Sequence, residues 1–200
     1  MDFSEAKSEL KKINPENKFT AMLKVAAIIT KVLGTKNIKP VIVGGLSVEI
    51  YTQSDYTTRD IDFVTPGYEI IEETLKRLDF IKENRHFYRD DIEISIEIPD
   101  SYLAGDRNRV VQVWISKDSD DFVYVISLED IILDRLRAAT AWQSSEDLKW
   151  GFLLLSANTE KVDVPYLFDH TETDDEREEL KYWLNSIKNQ TKMDFSHRKY

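Results

Sequence analysis

The sequence predicts an α+β fold: a mixed β-sheet flanked by helices over residues 1–126, then a helical region over 127–200 packed on that core. Three observations carry this. The apolar run Val41-Ile42-Val43 stops at Gly44-Gly45, as a buried strand does before a turn. Asp91-Ile92-Glu93-Ile94-Ser95-Ile96-Glu97-Ile98 alternates strictly, with isoleucines on one face and polar residues on the other. After Ser127 the texture changes to helix and stays so.

Taken in order, a short charged helix is expected over 3–12, and Asn14-Pro15-Glu16-Asn17 separates it from a second over 19–33. There Met22, Leu23, Ala26 and Ile29 recur at helical spacing and Gly34 ends the helix. A strand at 40–43, a helix at 46–52 and a strand at 60–64 follow. Thr65-Pro66-Gly67 turns into a helix over 68–78 with Ile71, Leu75 and Leu78 inward. Phe80-Ile81 and Phe87-Tyr88 are short extended pieces framing a basic tip of Lys82, Arg85 and His86. Strands at 110–115 and 122–126, joined by the polar turn from Ser116 to Asp121, complete the sheet. Ser127 then caps a helix over 128–142, with further helices over 145–155 and 173–188 and a frayed polar end from Asn189 to Tyr200.

Composition narrows the function classes. A chain of 200 residues buries a sizeable core as one domain, or as a catalytic half with a smaller appendage. A net charge of −10 and a pI near 4.9 exclude broad, sequence-independent docking on DNA or RNA, which depends on clustered Lys and Arg. The absence of cysteine excludes disulfides and thiolate metal sites. The acidic start, Met1 to Glu5, lacks the pattern of a signal peptide, and no apolar run is long enough to span a membrane, so a soluble cytoplasmic protein is expected. His86, His170 and His197 show no metal-ligand spacing and read as surface residues. Trp114, Trp142, Trp150 and Trp183 read as packing residues; Trp142, Trp150 or Tyr166 could alternatively flank a nucleobase.

The chemistry concentrates in Gly44-Gly45-Leu46-Ser47 and Asp60-Ile61-Asp62. A strand-glycine-helix turn presents unpartnered N–H groups at the positive end of a helix dipole, where a phosphate can sit. Alternation along the strand puts Asp60 and Asp62 on one face. Their mutual repulsion is relieved by a hard divalent cation, and Mg2+ is usually held by one or two carboxylates with substrate phosphate and water. Ser47 either reaches a terminal phosphate or caps the helix. Thr57 and Thr58 could touch metal-bound phosphates or simply belong to the strand entry, and Arg59 is expected in a structural salt bridge.

A hydrophobic strand, Gly44-Gly45, a short helix and then Asp60-Ile61-Asp62 together resemble the nucleotidyltransferase superfamily typified by the DNA polymerase beta palm. The resemblance extends from about Pro40 to Leu155. It implies Mg2+- or Mn2+-dependent transfer of a nucleoside monophosphate from an NTP to an acceptor hydroxyl on a protein, small molecule or RNA end. Asp60 and Asp62 would be catalytic metal ligands, and Gly44, Gly45 and Ser47 would hold the triphosphate. A two-metal site needs a third carboxylate. The run Ile96 to Asp106 resembles a segment of bacterial nucleotidyltransferase-like proteins that assigns this place to Glu97, with Glu93 or Ser95 replacing it if the register slips. Ile126 to Leu136 and Ser145 to Leu148 resemble the helical region of abortive-infection and toxin-antitoxin members, with Arg135 where Lys is common. Arg135 is accordingly either a phosphate ligand or the ion-pair partner of Asp130, Asp134 or Asp147. This likeness implies a toxin role with a small antitoxin partner as one rival. The other is a non-catalytic nucleotide-binding or interaction module.

Overall fold

The computed structural model describes residues 1–53, 56–117 and 119–189. Asp118 of the expected Ser116 to Asp121 turn, and the polar end from Gln190 to Tyr200 with His197, lie outside the described residues. The chain divides into two compact units, Met1–Ile126 and Ser127–Tyr200.

The first unit contains α1 (Phe3–Leu10), α2 (Lys18–Gly34), β1 (Val41–Val43), α3 (Gly44–Tyr51), β2 (Asp60–Val64), α4 (Tyr68–Arg77), β3 (Ile81–Glu83), β4 (His86–Arg89), β5 (Ile94–Glu97), β6 (Val111–Trp114) and β7 (Phe122–Val125). The strands form one mixed sheet in the order β3-β4-β5-β2-β1-β7-β6, with β1/β7 and β2/β5 parallel and the remaining neighbours antiparallel. Period-2 sequence makes two unlike faces. Ile61 and Phe63 of β2, Ile94 and Ile96 of β5 and Phe87 of β4 are fully buried. Each such side chain withdrawn from water contributes roughly 1.5–3 kcal/mol. α2, capped by Asn17 accepting from the Thr20 N–H (3.0 Å), turns Met22, Val25, Ala26, Ile29 and Leu33 inward and contacts β2, β7 and α4.

One strand is shorter than its alternation suggests. β5 starts at Ile94 because Arg89 grips Asp91 through two bonds, Nε to Oδ1 at 2.7 Å and Nη2 to Oδ2 at 2.8 Å, while its Nη1 donates to the Leu78 carbonyl at 2.8 Å. Residues 90–93 therefore turn, and Glu93 takes a positive φ of 50°. Asp91, held below the usual carboxylate range by the Arg89 guanidinium, sits in the turn rather than on a strand face.

The second unit contains α5 (Leu128–Ala141), α6 (Ser145–Ala157), α7 (Val164–Asp169) and α8 (Asp174–Lys188). Each begins with the same device: Ser127, Ser144, Asp163 and Thr173 accept the backbone N–H three residues on, satisfying a donor the helix cannot. The sequence reading missed α7, although Asp163-Val164-Pro165, a cap followed by proline in the first turn, announces it. Among the described residues no helix is long and apolar enough to cross a membrane.

Candidate active site

Three neighbouring strands build the site on the sheet face opposite the buried isoleucines. The parallel register pairs Asp60 with Ser95 and Asp62 with Glu97, and the next antiparallel pairing adds Tyr88 beside Ser95 and His86 beside Glu97. Cross-strand partners share a face. Asp60, Asp62 and Glu97 therefore lie on one surface, each intermediate in exposure. Glu93 lies off the strand, and Ser95 stands opposite Asp60. A cavity of about 580 Å³ opens beside Asp60 and Ser95, lined also by Lys18, Arg59, Tyr88 and Glu93. Arg59 is exposed and makes no ion pair among the described residues, so the salt bridge expected of it is not formed.

The two glycines interlock with β2 and its approach. α3 starts at Gly44, whose φ of +59° favours glycine. A Cβ there would overlap the Asp62 carboxylate, so the catalytic candidate fills the space the missing side chain leaves. At Gly45 a Cβ would meet Thr58 Oγ1 at 2.8 Å and Tyr56 Cε1 at 3.1 Å. No side chain caps the start of α3. Because the helix begins two residues earlier than expected, Ser47 is its fourth residue. It is fully buried, and its hydroxyl donates to the Gly44 carbonyl at 2.7 Å. This corrects both expectations for Ser47: it neither caps the helix nor presents its hydroxyl outward, and instead it steadies the Gly44 peptide.

The sequence reading passed over Glu49, on the same helix. It is buried (4% exposed) and accepts the Thr58 N–H at 3.2 Å, tying α3 to the chain entering β2. Burial raises its pKa, partly offset by that bond.

Glu97 has company that the sequence did not announce. Arg85 Nε lies 3.0 Å from Glu97 Oε1 and His86 Nδ1 lies 3.6 Å from Oε2, so His86 is more than the surface residue expected. The third member of the basic tip points elsewhere. Lys82 pairs with Glu72 at 2.9 Å and lies 5.4 Å from the Tyr68 ring, and Lys76 meets the same carboxylate at 2.6 Å. The two lysines pull Glu72 down to about 2.

Among the described residues no group of three or more His, Cys, Asp or Glu is gathered closely enough to hold a metal ion. The Asp60/Asp62 pair, hard oxygen donors on one face with Asp62 cradled against Gly44, fits a cation of the Mg2+ kind that takes its remaining ligands from phosphate and water.

Arg135 belongs to the second unit. Its Nη1 donates to Asp147 at 2.7 Å and its Nη2 and Nε to Asp134 at 2.5 and 3.1 Å, the ion-pair alternative rather than an open phosphate ligand. Asp130 accepts from Ser127 Oγ (2.7 Å) and the Tyr166 hydroxyl (2.8 Å), and Glu129 from the Asp163 N–H (3.0 Å). Tyr166 is also stacked on His170 at 3.8 Å. Trp183 is fully buried, whereas Trp142 (79%) and Trp114 (56%) are exposed, so the packing role expected of these two is not seen.

A protein-family model described as "Nucleotidyltransferase of unknown function (DUF6036)" matches residues 20–197. The chain belongs to this family. The fold agrees. An antigenic nucleotidyltransferase-like protein from Paracoccidioides brasiliensis superimposes with a TM-score of 0.57 at 15% identity, covering 88% of this chain and 89% of that one. ANT(2")-Ia in complex with adenylyl-2"-tobramycin superimposes with a TM-score of 0.50 at 13% identity, covering 86% and 99% respectively. A comparison with curated proteins returns no match. The nucleotidyltransferase-family chain thus carries its acidic motif and its glycine turn on neighbouring elements of one sheet, β2 and the β1–α3 junction.

Proposed function

We propose that this chain transfers a nucleoside monophosphate from an NTP to an acceptor hydroxyl, using Mg2+ or Mn2+. The observation that carries the reading is the interlock of Gly44 with Asp62. A left-handed glycine lets an uncapped helix start lie directly against a carboxylate, bringing an anion-binding end and a cation-binding end into contact. The family membership supports the reaction class.

In this reading the N–H groups at the start of α3 hold the triphosphate, and Gly45 keeps the approach free of side chains. Asp60 and Asp62 would hold the cation, which when bound would supply charge neutralisation at the phosphates. The acceptor oxygen attacks the α-phosphorus, forming the new O–P bond while the bond to the β-phosphate oxygen breaks and pyrophosphate leaves. Asp60 borders the cavity, which supports reading it as the group that takes the acceptor's proton and reading the cavity as the acceptor's seat. The test is incubation with α-phosphate-labelled NTPs, Mn2+ and a cell lysate, comparing the native chain with Asp60→Asn and Asp62→Asn. Label on a discrete species that both substitutions abolish supports transfer; equal labelling by all three rejects it.

One observation favours a second reading, a nucleotide-binding module without turnover: Glu97 is engaged by Arg85, leaving the acidic face short of its third ligand. Nucleotide affinity and turnover indifferent to Asp60→Asn and Asp62→Asn together would select it.

A further inference from the structure

We propose that Arg85 is a built-in counter-ion for Glu97 that a divalent cation must displace, so that loading the cation and releasing the Arg85 guanidinium are one coupled event. The inference rests on the metal-dependent reading above and concerns the third carboxylate, whose partner is visible.

Asp62 and Glu97 stand directly opposite each other on parallel strands. Like charges so placed repel, and the repulsion calls for a positive charge close by. Arg85 supplies one at 3.0 Å. Its placement is built into the hairpin. β3 and β4 pair Glu83 with His86, leaving Asn84-Arg85 as a two-residue turn with Asn84 at a φ of 56°. The hairpin is moored to α4 by the pairing of Lys82 with Glu72. The mooring leaves Arg85 at the tip, with its side chain 76% exposed.

That exposure makes the pair reversible. The guanidinium can leave Glu97 for water without opening a cavity, whereas the Glu97 carboxylate, 16% exposed, stays on the sheet face and keeps its need for a counter-ion. Glu97 is not tied down by a second bond: His86 Nδ1, 3.6 Å away, is a buried nitrogen without a hydrogen-bond partner. A cation bound at Asp60 and Asp62 would offer Glu97 a doubly charged alternative on the same face, and the single charge of Arg85 would give way. Arg85 therefore acts as a positioning residue. It holds the third carboxylate aside until a cation arrives.

The test is Mn2+ binding to the full chain without nucleotide, followed by the electron paramagnetic resonance of free Mn2+. Removing the competitor in Arg85→Ala is expected to tighten Mn2+ binding at least about two- to fivefold, the range for an ion pair whose arginine is exposed. Arg85→Lys, which keeps the charge, should stay near the native affinity. Placing Arg85→Ala on top of Glu97→Gln should give no gain over Glu97→Gln alone. A merely structural role for Arg85 predicts none of this pattern. If Asp62→Asn weakens Mn2+ binding while Arg85→Ala leaves it unchanged or weaker, the exchange is wrong and the metal reading stands. If no variant binds Mn2+, even with added ATP, both fail.

Discussion

The two units use acidic side chains in opposite ways. In the second unit Glu129 and Asp130, 7% and 2% exposed, sit in the first turn of α5 and accept bonds from Asp163, Ser127 and Tyr166. They are structural. In the first unit Asp60 and Asp62 line a half-exposed sheet face, and the Asp60 carboxylate accepts no bond among the described residues. Asp60 instead borders a cavity, with Asp62 on the same strand face, and nothing within the fold supplies the Asp60 carboxylate with a donor among the described residues. A carboxylate supplied with donors reports on folding; one left beside a cavity reports on a ligand.

The largest expected effect lies in that contrast. If Asp60 holds the cation as proposed, Asp60→Asn should lower any transferase rate roughly a hundredfold or more, since loss of a metal ligand removes several kcal/mol of transition-state stabilisation. Its thermal midpoint should hardly move. Asp130→Ala should do the reverse, leaving the Tyr166 and Ser127 hydroxyls without their acceptor and costing about 1–3 kcal/mol. Parallel melting and labelling assays check both, and a destabilised Asp60→Asn or an unaffected Asp130→Ala would break the comparison.

The glycines sharpen it. Gly44 and Gly151 both lack space for a Cβ, but the intruding groups differ: the Asp62 carboxylate at Gly44 and the fully buried Trp183 ring at Gly151. Gly151→Ala overpacks a core contact and is expected to cost about 1–3 kcal/mol. Gly44→Ala adds a left-handed φ to its clash, of order 1–3 kcal/mol before any repacking, and it displaces a site carboxylate. Denaturant melts should show both losses, with nucleotide or Mn2+ affinity falling only in Gly44→Ala.

Much of the fold was legible because its signals are local. The cap Ser127, the alternation of β2 and the apolar spacing of α2 each lie within a few residues of the structure they specify. The site was legible in part, for the same reason. Asp60 and Asp62 share a face through their own strand, while the pairing of Asp62 with Glu97 depends on a parallel register spanning thirty-odd residues. Arg85 beside Glu97 required the β3–β4 hairpin and the β4 on β5 register at once. Ser47 was misread by the start of one helix: beginning α3 at Gly44 rather than Leu46 rotates its hydroxyl into the core. The early residues of the alternating run were misread because a side-chain clamp, Arg89 on Asp91, overrides strand pattern.

The smallest expected effects come from two acids of the first unit whose titration should run in opposite directions. Glu72, its side chain 19% exposed, is pulled down to about 2 by Lys76 and Lys82. Its folded pKa lies below its unfolded one, so its contribution is present above about pH 4.5 and is lost as pH falls through about 2. Glu49 is raised by burial. Its folded pKa lies above the unfolded value of 4.5, so its contribution is complete below that pH and is lost as pH rises through the folded value. Glu72→Gln should therefore be less stable than the native chain near neutrality and approach it in acid. Glu49→Gln keeps an acceptor for the Thr58 N–H while removing the buried charge, so it should gain on the native chain as pH rises from acid to neutral. Urea midpoints at several pH values check the pair. Two curves of the same slope would mean that Glu49 is solvated, and that its bond to Thr58 does not hold the entry to β2 in place.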